Sequence, residues 1–265
     1  MNRDLIAPDV SIIIPTRDRI DLLRQAIASI RVESQPFSFE IIVVETGSDG
    51  SGEWAQREGC RVVLAQGATF ARATNEGVTQ ARGLVYILMN NDVILDLGSL
   101  GKLWHHAMPG KFMAVHGARL RYPTGLIQHA GVGFDQEYNP YPLWRLAPHD
   151  HPEVCQTRFL PAVTFALCAI PAGLWPGIRE VTGALDEGYQ NAYEDIDLCL
   201  RVREAGWQVA YHPDVTAVHL EGQTAGRHDH DAESWAHFAS KWIATGRISY
   251  VTGVWPFRTQ RGGAA

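Results

Sequence analysis

The chain has 265 residues, of which 46% are hydrophobic and 20% are charged, and its formal net charge is −6. This composition is that of an ordinary globular protein with enough residues for one sizeable core. The acidic balance excludes a global basic field for nucleic acid. The first ten residues lack the apolar core of a signal peptide, and no run reaches the roughly 20 apolar residues of a membrane span. We predict a cytoplasmic protein without a transmembrane span, and leave peripheral contact with the inner face of a membrane open.

The cysteines Cys60, Cys155, Cys168 and Cys199 show no C-x-x-C spacing. Zinc sites and redox pairs usually need such spacing, and disulfide frameworks belong to small secreted chains. We therefore predict buried thiols in a reducing compartment.

The first half of the chain alternates apolar runs with segments of helical spacing. The predicted strands cover residues 10–15, 39–44, 61–64 and 84–89, and the predicted helices cover residues 20–30, 53–58 and 70–81. Such alternation with short connections favours a mostly parallel sheet with helices on its faces.

The second half is less regular. Its residue pattern predicts a helix at 97–108, a strand at 112–116, a hairpin of 120–122 with 127–132, a long loop at 135–152 and a strand at 159–170. A helix then runs from residue 194 to Gly206, strands at 207–211 and 216–220 flank Pro213, and a last helix covers 231–243.

Polar residues follow three predicted strands, at Thr16 and Arg17, at residues 45–49, and at residues 90–92. The carboxyl ends of parallel strands share one edge of a sheet, where open α/β folds bind ligands. No glycine-rich dinucleotide or P-loop motif is present, so a bound nucleotide would be held by side chains. Arg72 and Asn75, three residues apart on a predicted helix, lie where they could reach phosphate or ribose.

Two polar groups each have two interpretations. Asn90, Asn91 and Asp92 form either a common turn or oxygen ligands for a hydrated cation. Glu194 and Asp195 either complement a helix dipole or, since Asp195 lies four residues before Cys199, point a carboxylate inward.

Taken together, residues 10–242 resemble a family-2 glycosyltransferase of the GT-A fold. The segments 10–17 and 41–51 resemble its first two strands, and residues 90–92 stand where the family carries its DxD metal motif. Residues 193–201 resemble the acidic helix of the bacterial rhamnosyltransferase-like branch of O-antigen biosynthesis, and His219 matches the histidine that follows it. The chain departs from the family at Glu45 and at Asn90, where aspartates are usual.

The resemblance implies an inverting enzyme that moves a sugar from a nucleotide-diphosphate-sugar donor to a hydroxyl of a cell-surface or lipid-linked glycan acceptor. Asp195, beside Glu194, is implied as general base, and Asp92 and His219 as ligands of Mn2+ or Mg2+. The residues implied in binding the nucleotide sugar are Pro15, Thr16, Arg17, Glu45, Asp49, Arg72, Asn75, Asn90 and Asn91.

Two rival functions stay open. One is a catalytically silent nucleotide- or glycan-binding module of a larger assembly, which the loss of the first DxD acid favours. The other is a sugar nucleotidyltransferase, which would need a Gly/Lys/Arg-rich loop after the first strand. We predict one GT-A domain over 1–265, with a nucleotide-sugar half at about 1–116, an acceptor and catalytic half at about 117–245, a tail at 246–265, and a lid at 221–231.

Overall fold

The computed structural model describes residues 7–32, 34–108, 113–175, 184–222 and 229–248. In these ranges the helices are α1 Ile20–Arg31, α2 Ser51–Arg57, α3 Phe70–Gln80, α4 Ser99–Ala107, α5 Glu194–Glu204 and α6 Asp231–Phe238, with a π-helical turn at Ala239–Ile243. The strands are β1 Val10–Thr16, β2 Phe39–Glu45, β3 Arg61–Leu64, β4 Val85–Met89, β5 Val93–Leu95, β6 Met113–Arg121, β7 Ile127–His129, β8 Val132–Phe134, β9 Pro140–Pro142, β10 Arg158–Phe159, β11 Leu167–Pro171 and β12 Gln208–His219.

The main sheet has the order β10-β12-β6-β11-β4-β1-β2-β3, and β8 and β9 form a small second sheet. Among strands β1 to β4, every hydrogen-bonded pair is parallel, as predicted. Alternate residues of β1 enter different clusters, since Ile13 packs with one core and Ile12 and Ile14 pack with the other. Both faces of the sheet are therefore buried, which explains why these strands read as continuous apolar runs.

The second half corrects several sequence predictions. The predicted strand at 159–170 is two strands, β10 and β11, with an irregular stretch between them. The two predicted strands around Pro213 are one strand, β12, whose pairing with β6 shifts register between His212 and Thr216. Strand β5 was not predicted, and the predicted loop at 135–152 contains β9.

One edge of the sheet collects the carboxyl ends of several strands. β11 is antiparallel to both β4 and β6, and β12 is parallel to β6, so β12 runs in the direction of β4. Short strand β5 then pairs with β12 in antiparallel fashion and places Val93 opposite His219. This pairing brings His219 beside the turn that precedes β5.

The cysteine prediction is wrong at one position. Cys60, Cys168 and Cys199 are buried, and burial raises the pKa of each of these thiols. Cys155 is exposed. Within the described ranges, none of the helices combines the length and the apolar character needed to cross a membrane.

Candidate active site

Asp92 and His219 face each other at the carboxyl edge of the sheet. Asp92 Oδ1 lies 3.1 Å from His219 Nε2. Both atoms are buried, and neither has a hydrogen-bond partner among the described residues. The backbone holds them in place, because the Leu220 N–H donates to the Asp92 carbonyl at 3.1 Å next to the β5–β12 pairing.

The contacts of His219 indicate how its two ring nitrogens are used. His219 Nδ1 lies 2.8 Å from Gln128 Oε1, which is an acceptor, so Nδ1 carries the proton. In the neutral ring Nε2 is then an acceptor, and it faces a carboxylate that is also an acceptor. Two acceptors at this spacing are unfavourable alone but suit a shared divalent cation, and a metal-bound histidine normally donates its other N–H in this way. The residues present therefore fit a Mn2+ or Mg2+ site.

The turn between β4 and β5 connects this pair to the end of β1. Asn91 Nδ2 donates to Thr16 Oγ1 at 2.9 Å, and both side chains are buried. Asn90 Oδ1 is buried and has no hydrogen-bond partner in the described part of the chain. The neighbouring Pro15 is half-buried and Arg17 is exposed.

Glu45 is the last residue of β2 and Asp49 follows this strand, and both carboxylates accept hydrogen bonds from backbone N–H groups at helix starts. Glu45 Oε1 accepts from the Gly52 N–H at 3.0 Å, and a Cβ on Gly52 would lie 2.4 Å from Glu45 Oε2. Asp49 accepts from the Ile20 N–H at 2.8 Å and from the Ser51 N–H at 3.0 Å. Burial alone would raise the pKa of Asp49, but hydrogen bonds from the Ser51 hydroxyl and from these two N–H groups hold it below its usual value. Contact of Glu45 and Asp49 with a nucleotide stays a prediction.

Arg72 and Asn75 on α3 both have protein partners. Arg72 Nε lies 3.0 Å from Glu76 Oε1 in an exposed pair. Asn75 Nδ2 donates to the Leu185 carbonyl and to Glu187 Oε1, both at 2.9 Å. Their binding of a nucleotide also stays a prediction.

A cleft of about 240 Å3 lies beside the turn and contains the predicted base. Its wall includes Asn90 and the start of α5, with Glu194 and Asp195. Asp195 Oδ1 accepts from the Ile196 N–H at 2.7 Å, and Oδ2 accepts from the Phe165 N–H at 3.3 Å. The structure therefore joins the metal-motif turn and the acidic helix start in one concave site, as active sites require.

The acids of α5 have different surroundings. Asp197 is fully buried, where it accepts from Arg201 Nε at 2.7 Å and from Trp242 Nε1 at 2.8 Å, and lies 2.8 Å from Lys241 Nζ. These buried contacts give Asp197 a structural role. Asp195, two residues earlier, instead lines the cleft.

Two polar residues of β7 belong to the site but were not predicted from the sequence. His129 lines the cleft and accepts from the Thr164 N–H at 3.0 Å, while Gln128 contacts His219. Burial, with a smaller effect of nearby His219, lowers the pKa of His129 to about 3. The sequence did contain a signal for them, because a glutamine next to a histidine lies in a predicted strand. Buried polar side chains need hydrogen-bond partners, so such a pair indicates a polar contact.

Two other features carry no ligand argument: the predicted lid and a cluster of His106, His212 and Asp214. Residues 223–228 of the predicted lid at 221–231 lie outside the described residues. His106, His212 and Asp214 approach one another closely enough to bind a metal. However, the His106 and His212 rings are stacked with centroids 3.8 Å apart and planes 10° apart, so their in-plane nitrogen lone pairs do not converge on one ion.

Comparisons with known proteins agree with this geometry. Residues 11–141 match the model of glycosyl transferase family 2. The chain is 35% identical over 237 residues to the "Uncharacterized protein y4gI" of Sinorhizobium fredii, covering 84% of this chain and 25% of that protein. It is 29% identical over 249 residues to the "O-antigen biosynthesis protein RfbC" of Myxococcus xanthus, covering 88% of this chain and 19% of that protein. The chain thus spans about a quarter or less of these relatives.

The fold is also shared with a solved structure of GalNAc-T7 with UDP, GalNAc and Mn2+. The TM-score is 0.70 with 14% sequence identity, and the match covers 94% of this chain and 50% of the other. Similarity at this level of identity concerns the fold, and it confirms the predicted GT-A arrangement.

Proposed function

This chain carries a glycosyl transferase family 2 domain of the GT-A fold, and we propose that it is an inverting glycosyltransferase. The donor is a nucleotide-diphosphate sugar, and the acceptor is a hydroxyl of a cell-surface glycan or a lipid-linked glycan. One observation carries the proposal. Asn90, in the turn that ends at Asp92, and the Asp195 carboxylate line the same cleft. The likeness to an O-antigen biosynthesis protein supports a glycan acceptor.

In this proposal, the donor diphosphate binds at the carboxyl edge of the sheet. There Asp92 and His219 would hold Mn2+ or Mg2+, and the cation would offset the charge that develops on the leaving diphosphate. Thr16 and Asn91 fix the position of the turn through their hydrogen bond. The exposed Arg17 side chain supplies a positive charge at the end of β1.

We propose that the acceptor hydroxyl binds beside Asp195. Its oxygen attacks the anomeric carbon while the bond to the diphosphate breaks, and Asp195 takes the hydroxyl proton. A single displacement of this kind inverts the configuration at the anomeric carbon.

The experiment is a transfer assay with a panel of nucleotide sugars, glycan acceptors, and either Mn2+ or a chelator. The anomeric configuration of the newly formed glycosidic bond is read by NMR and compared with that of the donor. Transfer with inverted configuration that needs the cation supports the proposal. A product that retains the donor configuration would overturn the single-displacement mechanism and the role given to Asp195.

A further inference from the structure

We propose that Tyr193 is a positioning residue for Asp195. Its ring, held by helix α6, fixes the left-handed turn from which α5 starts, and this turn sets the direction of the Asp195 carboxylate. The inference rests on the proposed role of Asp195, but the contacts that carry it belong to the protein alone. Tyr193 directly precedes α5, and it also lines the cleft.

The turn before α5 has an unfavourable backbone conformation. Ala192 and Tyr193 have φ angles of 64° and 71°, which lie in the left-handed region that residues with a Cβ disfavour. Two successive residues of this kind persist only where their surroundings hold them, and such strain is concentrated at active sites. The neighbours of this turn therefore determine whether it is kept.

Helix α6 supplies these neighbours. The Asn191 N–H donates to Ser234 Oγ at 3.3 Å, and the Ser234 side chain is buried. The Tyr193 ring packs against Trp235 and Phe238, with ring centroids 5.9 Å and 5.4 Å away. Helix α6 thus holds the beginning of the turn through a hydrogen bond and its end through aromatic packing.

The position of this turn determines where Asp195 points. The Tyr193 carbonyl accepts from the Asp197 N–H at 2.8 Å, which closes the first turn of α5. Asp195 lies inside that turn, where the Ile196 N–H donates to its Oδ1 at 2.7 Å and the Phe165 N–H donates to its Oδ2 at 3.3 Å. A displaced first turn would draw the carboxylate away from the Phe165 N–H and change its direction in the cleft.

The test compares the intact protein with Tyr193→Phe, Tyr193→Ala, Tyr193→Gly and Trp235→Ala. Phenylalanine keeps the packed ring, whereas glycine removes the ring and also relieves the cost of a positive φ. Trp235 contacts the Tyr193 ring but is not one of the described residues that line the cleft, so its loss acts on the cleft through Tyr193. Tyr138→Ala is the control, because Tyr138 also has a φ of 64° and packs against the apolar cluster that contains Phe238.

Three measurements are made on the same preparations. Amide hydrogen exchange of Ile196 and Phe165 reports whether the Asp195 carboxylate stays in place, and it needs no substrate. Transfer kinetics use the nucleotide sugar and glycan that react in the panel assay and give kcat, the acceptor KM and the affinity for the matching nucleoside diphosphate with Mn2+. Urea titration gives the free energy of unfolding.

We expect faster exchange of both amides and a kcat about 10–100-fold lower in Tyr193→Ala and Trp235→Ala, because a misplaced catalytic group loses this much. Nucleotide affinity should be unchanged, and Tyr193→Phe should behave like the intact protein. Tyr193→Gly should regain part of the stability that Tyr193→Ala loses but none of its kcat, since the ring is still absent. Tyr138→Ala should lose stability and keep its kcat.

Unchanged exchange and kcat in Tyr193→Ala and Trp235→Ala would overturn the inference. A kcat that follows stability through all variants, including Tyr193→Gly and Tyr138→Ala, would overturn it in favour of a merely structural role. A raised acceptor KM with normal kcat in Tyr193→Ala would overturn it in favour of direct acceptor binding. Faster exchange in the variants of a protein that transfers no sugar would support the positioning of Asp195 and contradict the proposed function instead.

Discussion

Asn75 pairs with the backbone of Leu185, 110 residues later in the chain. Its Oδ1 accepts from the Leu185 N–H at 3.0 Å, and its Nδ2 donates to the Leu185 carbonyl at 2.9 Å. This two-way contact uses both ends of the amide and leads the chain towards α5. The structure therefore gives Asn75 a bracing role that a short-range sequence pattern does not reveal.

Asn75→Ala should destabilise the fold by about 1–3 kcal/mol, because it leaves the Leu185 backbone groups without partners. The free energy of unfolding from urea titration measures this loss. Arg72→Ala is the control on the same helix, and it removes only an exposed (i, i+4) pair worth about 0.3–0.5 kcal/mol. Unchanged stability of Asn75→Ala together with weaker nucleotide binding would favour the predicted ligand role over the brace.

Asp92→Asn should increase stability at pH 8 while abolishing Mn2+-linked binding. The substitution turns two facing acceptors into a hydrogen bond, since the new amide can donate to His219 Nε2 across the present 3.1 Å. The gain should be about 1 kcal/mol in the metal-free protein. Thermal melting with chelator and calorimetric titration with Mn2+ and nucleoside diphosphate measure both quantities. A less stable variant with unchanged Mn2+ binding would contradict a shared cation.

His129 should make the protein less stable in mild acid. Its pKa in the folded protein is about 3, against about 6.5 in an unfolded chain, so the folded state favours the neutral ring. The contribution is fully present above about pH 6.5, and it is lost as pH falls from there towards 3. The slope attributable to His129 approaches about 1.4 kcal/mol per pH unit in the middle of this window.

The measurement for His129 is the free energy of unfolding against pH, compared with His129→Gln. The glutamine oxygen can still accept from the Thr164 N–H, so the variant keeps the contact and loses the titration. The difference between the two curves should grow between about pH 6 and 4. Parallel curves across that range would show that His129 titrates normally.

The parallel half of the fold could be predicted because its signals are local. Strands β1 and β4 are buried on both faces, so each is a continuous apolar run with polar residues directly after it. Strand β12 could not be predicted whole, because Pro213 suggests a break. In the structure Pro213 falls where the register shifts between His212 and Thr216, and a missing N–H is tolerated at such an irregularity.

The candidate site was predictable only in part. Asp92, His219 and Asp195 were predicted with the help of the family resemblance. The structure pairs Asp92 with His219, and Asn90 of the same turn lines the cleft together with Asp195. Their supporting residues were not identified, because the contact of Gln128 with His219 spans 91 residues and depends on tertiary packing. Strand β5, which aligns Asp92 with His219, has three residues and too little periodicity to predict.

The proposed role of Asp195 as general base can be tested by comparing the intact protein with two variants. Asp195→Asn keeps the size of the side chain but replaces the proton-accepting carboxylate with an amide. Sugar transfer and nucleoside-diphosphate affinity are measured on the same preparations of the intact protein, Asp195→Asn and Glu194→Gln. We predict a loss of about 10²–10⁴-fold in transfer rate for Asp195→Asn with unchanged nucleotide affinity, and a smaller loss for Glu194→Gln.

Transfer by Asp195→Asn at the rate of the intact protein would contradict the role of Asp195. An intact protein that binds the donor but transfers sugar to no glycan would contradict the proposed enzymatic activity. It would favour a catalytically silent binding module.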